Sequence, residues 1–334
     1  MNRFLMSMTE TLQPEKFRER IDRELDALDF SKAPQELYEP IKYILSNGGK
    51  RARPVLVMMA CELFTDESEI ALPAALAVEI FHNFTLVHDD IMDKAPLRRN
   101  KVTVHEKWGN SVAILSGDAM MVKAYEQLSH CSPEYLPRVL TVFNRVALQV
   151  CEGQQLDMNF QECSQVSIEE YVQMIELKTA TLLAGSLEIG AILGGATDQE
   201  ADLLREFGKN IGIAFQLQDD ILDVYGEEGK FGKQVGGDIV SGKKTFLLLK
   251  ALELADEADH KVLTSIVEAA GPDSHKHVVV TKDIYDKLNI KELAQEKVQK
   301  YHNAGMSHLE SVKVDPAGKA LLKNMAEALL NREI

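Results

Sequence analysis

The sequence predicts an all-α protein, one large helical bundle that takes in residues 1–334 as a single domain. Three observations lead there. Apolar residues recur at i, i+3, i+4 and i+7 along nearly the whole chain, the spacing that lines one face of an α-helix. Strand signals are nearly absent; Val278, Val279 and Val280 form a short β-branched run, but inside a helical pattern. The stretch 178–193 is apolar on most faces and rich in Ala and Gly, as suits a helix packed on all sides at the centre of a bundle. No Pro/Gly/Ser-rich linker, low-complexity tract or solenoid repeat divides the chain.

In chain order, the periodicity predicts helices over 14–29, 34–46 and 51–64, the last with Pro54 in its first turn, where the missing N–H is no loss. A long helix over 70–93 follows, then 111–129, 135–157, 167–193 and 198–224. Further helices are expected over 243–255, 258–270, 276–288, 291–304 and 315–331. Two segments interrupt the pattern. Asp93 to Asn110 holds Pro96 and an arginine pair. Gly226 to Gly242 contains six glycines and reads as a flexible loop, a candidate lid because it follows an acidic cluster.

Composition narrows the function. Among 334 residues, 52 Asp and Glu outweigh 37 Lys and Arg. The formal net charge of −15 argues against a nucleic-acid partner and marks each basic cluster as a local anion site. Cys61, Cys131, Cys151 and Cys163 have no metal- or redox-type spacing, so reduced thiols in a cytoplasm are expected. The N-terminus lacks the apolar core of a secretory signal. No transmembrane segment is expected: the run nearest to an apolar span, Thr181 to Leu193, carries Glu188 and glycines.

The chemistry lies in two aspartate clusters of one pattern. Asp89-Asp90-Ile-Met-Asp93 and Asp219-Asp220-Ile-Leu-Asp223 each put carboxylates at i and i+4, one turn apart on one helix face. Each lies among apolar neighbours, Leu86, Val87, Ile91 and Met92 for the first, Phe215, Leu217, Ile221 and Leu222 for the second. Half-buried carboxylates are costly unless a cation accompanies them. Mg²⁺ suits the task, because it takes one or two carboxylates plus substrate phosphates. Asp89 and Asp93 would hold metal in the first cluster and Asp219 with Asp223 in the second. Asp90 and Asp220 point about 100° away around their helices.

Basic residues cluster as well. Arg98 and Arg99 stand just past the first cluster, and guanidinium offers bidentate donors to phosphate. The run Gly48-Gly49-Lys50-Arg51-Ala52-Arg53-Pro54 sets glycines and cations at a helix N-terminus, a setting suited to an anion. By contrast, Gly237 to Thr245 only nearly spells a P-loop: its hydroxyl falls one residue late and no strand precedes it.

GGKRARP, HNFTLVHDDIMDKAPLRRNKVTVH, CEGQQLD, KTA, FQLQDD and the Gly-Lys segment at 232–245 occur in a familiar order. From about residue 40 to about 250 the chain resembles the trans-isoprenyl diphosphate synthases, the family of farnesyl and geranylgeranyl diphosphate synthases. The resemblance implies the isoprenoid-synthase bundle with its central cavity, a homodimer, and about three Mg²⁺ per site with Mn²⁺ as a substitute. It implies two substrates, isopentenyl diphosphate and an allylic diphosphate. Gly49, Lys50, Arg53, His82 and Arg99 would bind the first. Arg98, Lys178, Thr179, Gln216, Lys233 and Lys243 would bind the second, with Lys178 and Thr179 at a kink whose carbonyls face the allylic cation. Gln154 and Asp157 match polar positions behind the cavity wall. Phe81, Phe84 and Thr85 would form the floor of the hydrocarbon pocket. Two phenylalanines there imply a product of C15 to C20, with C20 preferred. The family's basic C-terminal tail is missing from Asn331-Arg332-Glu333-Ile334, so closure by the tail is not expected.

The expected reaction is a head-to-tail condensation with Asp89, Asp93, Lys178, Asp219 and Lys243 as its catalytic residues. The allylic diphosphate ionises, the isopentenyl double bond attacks, and a proton leaves with the released diphosphate. Three rivals fit less well. A class I terpene cyclase would carry an Asn/Ser/Glu-type second motif and need no second diphosphate site. An HD-type phosphohydrolase, suggested by His82 and His88-Asp89, leaves the second cluster and the arginine pair unexplained. A non-catalytic regulatory subunit would tolerate loss of a cluster, and both are intact.

Overall fold

The computed structural model describes residues 2–163, 165–226, 236–269 and 275–331. The N-terminal part runs α1 (Asn2–Ala27), α2 (Gln35–Ser46), α3 (Ala52–Glu62) and, after one 3₁₀ turn, α4 (Leu72–Met92). α1 starts well before the predicted residue 14; its inward residues Phe17, Ile21 and Leu25 keep the helical spacing.

The break after α4 is more ordered than a plain loop. Leu97–Arg98 (β1) pairs antiparallel with Lys101–Val102 (β2). The two residues between them, Arg99 and Asn100, both have positive φ, 54° and 60°, as a tight two-residue hairpin turn requires. A short α5 (Val104–Trp108) leads into α6 (Asn110–Leu128) and α7 (Leu136–Glu162).

The predicted helix 167–193 is three pieces. α8 (Ile168–Ile175) starts at a capping box in which Ser167 and Glu170 satisfy each other's backbone N–H groups. A π-helical turn, Glu176–Ala180, follows, and α9 (Thr181–Leu193) continues. α9 is buried at every position and packs against α3, α7 and α10 (Asp198–Tyr225), as its all-round apolar sequence predicts. The remaining helices are α11 (Gly237–Val240), α12 (Phe246–Leu254), α13 (Glu257–Glu268), α14 (His275–Lys287), α15 (Ile290–Ser311) and α16 (Pro316–Asn331).

Two apolar clusters fill the interior, one mainly from α1 to α7 and α9, the other mainly from α8 and α12 to α15; α10 contributes to both. The membrane expectation is corrected in one respect. It is not α9 but the stretch Ser68–Met92 that is long and apolar enough to cross a bilayer, and 67% of its apolar window is buried inside the protein. This segment is a core helix of the bundle.

Candidate active site

The first aspartate cluster sits at the C-terminal end of α4, with Asp93 as the C-cap. A helix C-terminus carries partial negative charge, so carboxylates there call for cations. Two are at hand. Arg98, on β1, donates from Nη2 to Asp89 at 3.0 Å and from Nε to Asp90 at 2.7 Å. Lys178 Nζ lies 3.2 Å from Asp89 Oδ1 and donates to Asp157 Oδ2 at 2.6 Å. Asp89 Oδ1 is otherwise buried without a hydrogen bond. Burial pushes the Asp90 carboxyl up to about 6 against the pull of Arg98. Asp93 is raised too, by desolvation and then by the Asp89 charge. Burial would depress the Lys178 ammonium, but Asp89 and Asp157 outweigh it and its pKa is raised.

Lys178 owes its position to the π-helical turn. A Cβ on Gly153 of α7 would lie 2.2 Å from the backbone N of Lys178, so only glycine lets α7 pack against that turn. Thr179, in the same turn, donates to Gln216 Oε1 on α10 at 3.2 Å, and Gln216 Nε2 donates to Asp220 at 3.3 Å. The two walls are thus linked through the backbone of the π-helical turn, Lys178 reaching Asp89 and Thr179 reaching Gln216.

The second cluster occupies the C-terminal part of α10. Asp219 and Asp223 are half-buried and Asp220 is buried. Tyr171 of α8 donates its hydroxyl to Asp220. Burial, and next the Asp238 charge, raise the Asp220 carboxyl well above the usual range. Asp223 accepts the backbone N–H of Asp238 at 2.9 Å. Lys243 has a raised pKa, chiefly from Asp238, with Asp157, Asp220 and Asp93 adding to it. One lysine therefore feels carboxylates from both clusters.

A separate cationic group surrounds His82. Arg53 Nη1 lies 3.2 Å from His82 Nε2. Burial, then Arg53, Arg99 and Arg98 in turn, hold the imidazole well below its usual pKa, so it is neutral. Burial also lowers Arg53, to about 10, and its Nε has no hydrogen-bond partner among the described residues. Arg99 reaches from the hairpin turn to the Gly48 carbonyl. Its guanidinium occupies the space a side chain at Gly49 would need, with Nη1 2.8 Å from where that Cβ would be. Arg51 has a different part. It sits in the left-handed region at φ 51°, is buried, and ties together Asp22, Glu79 and the Leu45 carbonyl. It anchors α3 to α1, α2 and α4. Lys50 is exposed on the same turn.

A cavity of about 360 Å³ connects the α4 wall and the π-helical turn with the His82 group; the residues that line it do not include Asp219, Asp220, Asp223 or Lys243. Arg53 and His82 line it, as do Asp89, Lys178, Thr179, Phe84 and Thr85. Phe81 does not: it is fully buried behind Phe84, 5.5 Å ring to ring, and packs edge-on against Phe143 at 5.3 Å. Gln154 lines the cavity, and Asp157, whose carboxylate holds Lys178, stands behind it. Lys233 and most of the expected lid lie outside the described residues. His82 and His88 do not meet at Asp89. His82 faces Arg53 and His88 faces the Ile114 carbonyl, so the HD-type arrangement is not formed.

The sequence reading passed over Asp238 and Tyr171, and weighed His88 only as part of a histidine-aspartate metal site. Asp238 carried a signal in its place five residues before Lys243; Tyr171 carried none, being one aromatic in an amphipathic helix.

The donors suit a hard divalent ion. They are carboxylates on two helix ends, oxygen donors of the kind Mg²⁺ takes one or two of together with phosphate and water; among the described residues no group of three such side chains is gathered closely enough to hold an ion alone. A bundle with paired acidic helix ends, a cationic cup and an apolar recess defines an all-α enzyme that handles diphosphates on hydrocarbon chains. The polyprenyl synthetase family model matches residues 34–287, and the chain belongs to that family. It is 41% identical over 257 residues to a geranylgeranyl diphosphate synthase of Methanosarcina mazei, covering 76% of this chain and 79% of that one. It is 38% identical over 305 residues to a geranylgeranyl diphosphate synthase of Sulfolobus acidocaldarius, covering 89% and 91%. The crystal structure of a geranylgeranyl pyrophosphate synthetase from Pyrococcus horikoshii superposes with a TM-score of 0.90 at 35% identity, covering 97% of this chain and 99% of that one.

Proposed function

We propose that the protein is a short-chain (E)-prenyl diphosphate synthase that joins isopentenyl diphosphate head-to-tail to dimethylallyl, geranyl or farnesyl diphosphate. The observation that carries this reading is the single cavity lined by Arg53 and His82, by Asp89, Lys178 and Thr179, and by the apolar Phe84. Two anion sites opening on one apolar recess suit two diphosphate substrates that meet tail to head. A terpene cyclase has no use for the Arg53 cup.

Asp89 and Asp93 on one side and Asp219 with Asp223 on the other would hold about three Mg²⁺, or Mn²⁺ in their place. Bound there, the ions would neutralise charge developing on the departing diphosphate. Lys178, held between Asp89 and Asp157, and Lys243, beside Asp238, would serve the allylic diphosphate with Arg98, Thr179 and Gln216; Lys233 is assigned to it from the sequence alone. Gly49, Lys50, Arg53, His82 and Arg99 take isopentenyl diphosphate. The released diphosphate accepts the proton lost after carbon–carbon bond formation. Met92 and Phe84 line the recess and exclude water that would quench an allylic cation. Phe84 and Thr85 set the floor, Phe81 backs it, and the product is C15 to C20, with C20 favoured.

α10 contributes to both apolar clusters, which supports reading the chain as one domain. Ile114, Leu115 and Val122 of α6 and Leu148 of α7 are exposed by 45 to 67%, an apolar face that supports a homodimer. Four free thiols support a cytoplasmic setting.

The test is incubation with Mg²⁺, radiolabelled isopentenyl diphosphate and each allylic starter, followed by sizing of the dephosphorylated products. Labelled C15 or C20 prenols are expected. Consumption of the allylic starter without incorporation of label would favour a cyclase instead.

A further inference from the structure

His88 stands between the acidic end of α4 and the Phe84 floor, one turn from Phe84 on the same face, and lines the same cavity. Its ring meets Phe84 edge-on at 4.8 Å. Its Nε2 is 3.2 Å from the Ile114 carbonyl of α6. A carbonyl only accepts, so Nε2 carries the proton and donates it. The ring enters a notch cut for it in α6: a Cβ on Gly117 would lie 2.3 Å from His88 Nε2. Imidazole, glycine notch and carbonyl therefore lock χ1 and χ2 of His88, and the locked ring fixes one edge of Phe84. Phe81 supports another part of that ring at 5.5 Å and is itself fully buried.

We infer that His88 is a positioning residue for product length: seated in the Gly117 notch, it holds Phe84 across the hydrocarbon recess and so sets where the growing prenyl chain stops. The inference rests on the reading of Phe84 as the floor. It assigns His88 a role distinct from that of the neighbouring Asp89. His88 shapes the apolar end of the cavity through Phe84, whereas Asp89 serves the diphosphate.

Four variants test it, with product lengths, kcat and the KM of both substrates measured at saturating Mg²⁺ and circular dichroism as a check on folding. Phe84→Ala should lengthen the product. His88→Ala unlocks the ring and should raise the share of prenols one or more C5 units longer several-fold, with both KM values within about twofold of the original. His88→Gln, which retains a donor for the Ile114 carbonyl, should restore most of the original distribution. Gly117→Ala fills the notch, drives the imidazole toward the cavity and should shift products shorter. A lengthened product from Phe84→Ala with an unchanged distribution from both His88→Ala and Gly117→Ala would overturn the role of His88 while leaving the floor in place. An unchanged distribution from Phe84→Ala as well would overturn the floor reading and this inference with it.

Discussion

At the end of α4 the middle aspartate, Asp90, is buried against a guanidinium; at the end of α10 its counterpart, Asp220, is buried against a phenol and an amide. Asp89 has both Arg98 and Lys178 beside it, whereas the α10 cluster lies beside a further carboxylate, Asp238, and feels Lys243 at longer range. Two copies of DDxxD thus sit in two electrostatic settings. On the α4 wall the middle aspartate is met by a cation, and on the α10 wall by two neutral side chains.

Breaking either wall should have the largest effect. Asp89→Ala and Asp219→Ala should each lower turnover by roughly 10²–10³-fold or more, the size of losing one partner of a charge that develops in the transition state. Circular dichroism and thermal melting should hardly move. Near-normal turnover in both variants with Mg²⁺ present would defeat the proposed chemistry.

The substrate assignment comes next. Arg53→Ala removes a charge-assisted phosphate contact worth about 1.5–3 kcal/mol, so the KM for isopentenyl diphosphate should rise roughly 10- to 150-fold. The KM for the allylic diphosphate should stay near its original value, and Lys243→Ala should give the reverse pattern. Equal effects on both substrates would merge the two sites.

A smaller effect separates the middle aspartates. Arg98→Met leaves Asp90 buried without its ion pair and should cost about 1–3 kcal/mol of stability, less than for a fully enclosed pair because Arg98 is partly exposed. It should also raise the allylic KM. Tyr171→Phe removes a neutral donor from Asp220 and should cost about 1–2 kcal/mol with little change in either KM. Chemical denaturation read beside steady-state kinetics distinguishes the two; a kinetic defect in Tyr171→Phe would show that Asp220 is more than a structural acid.

The smallest effect is a pH dependence away from the metal-binding walls. His82 is held below the usual histidine range in the folded protein, so the unfolded chain binds the extra proton first. Its contribution to stability is present above about pH 6.5, the unfolded value, and is lost as pH falls below it. His82→Gln should therefore flatten the fall in melting temperature between about pH 6.5 and 5. An unchanged slope would mean that other groups control acid sensitivity.

Much of this architecture was legible in the residue order because long amphipathic helices advertise themselves. α10 matches its predicted span to within a residue, and the apolar α9 is buried as its sequence requires. What escaped was geometry that depends on a partner. The π-helical turn at Glu176–Ala180 has no compositional mark of its own: a kink at Lys178 and Thr179 was expected from the family resemblance alone, and its π-helical form is visible only against Gly153. The hairpin at Arg99-Asn100 lies between strands of two residues each, too short for any period to register. Phe81 and Phe84 look equivalent in sequence, yet only Phe84 reaches the cavity, because Phe143 of α7 covers the deeper ring. Arg51 sits in the same basic run as Lys50 and Arg53, and the partners that set it apart from them, Asp22 and Glu79, are distant in sequence.

The contact between Gly153 and the backbone of Lys178 sets a limit on redesign. A single added methyl at Gly153 has no flexible neighbour to displace; it meets main chain at 2.2 Å. The π-helical turn would have to move, and the ammonium of Lys178 with it. An engineer seeking a longer product can therefore carve the α4 side of the recess, where rings yield to smaller side chains. The α7 side is a fixed gauge at Gly153, and a change made there alters the reaction before it alters the length of what is made.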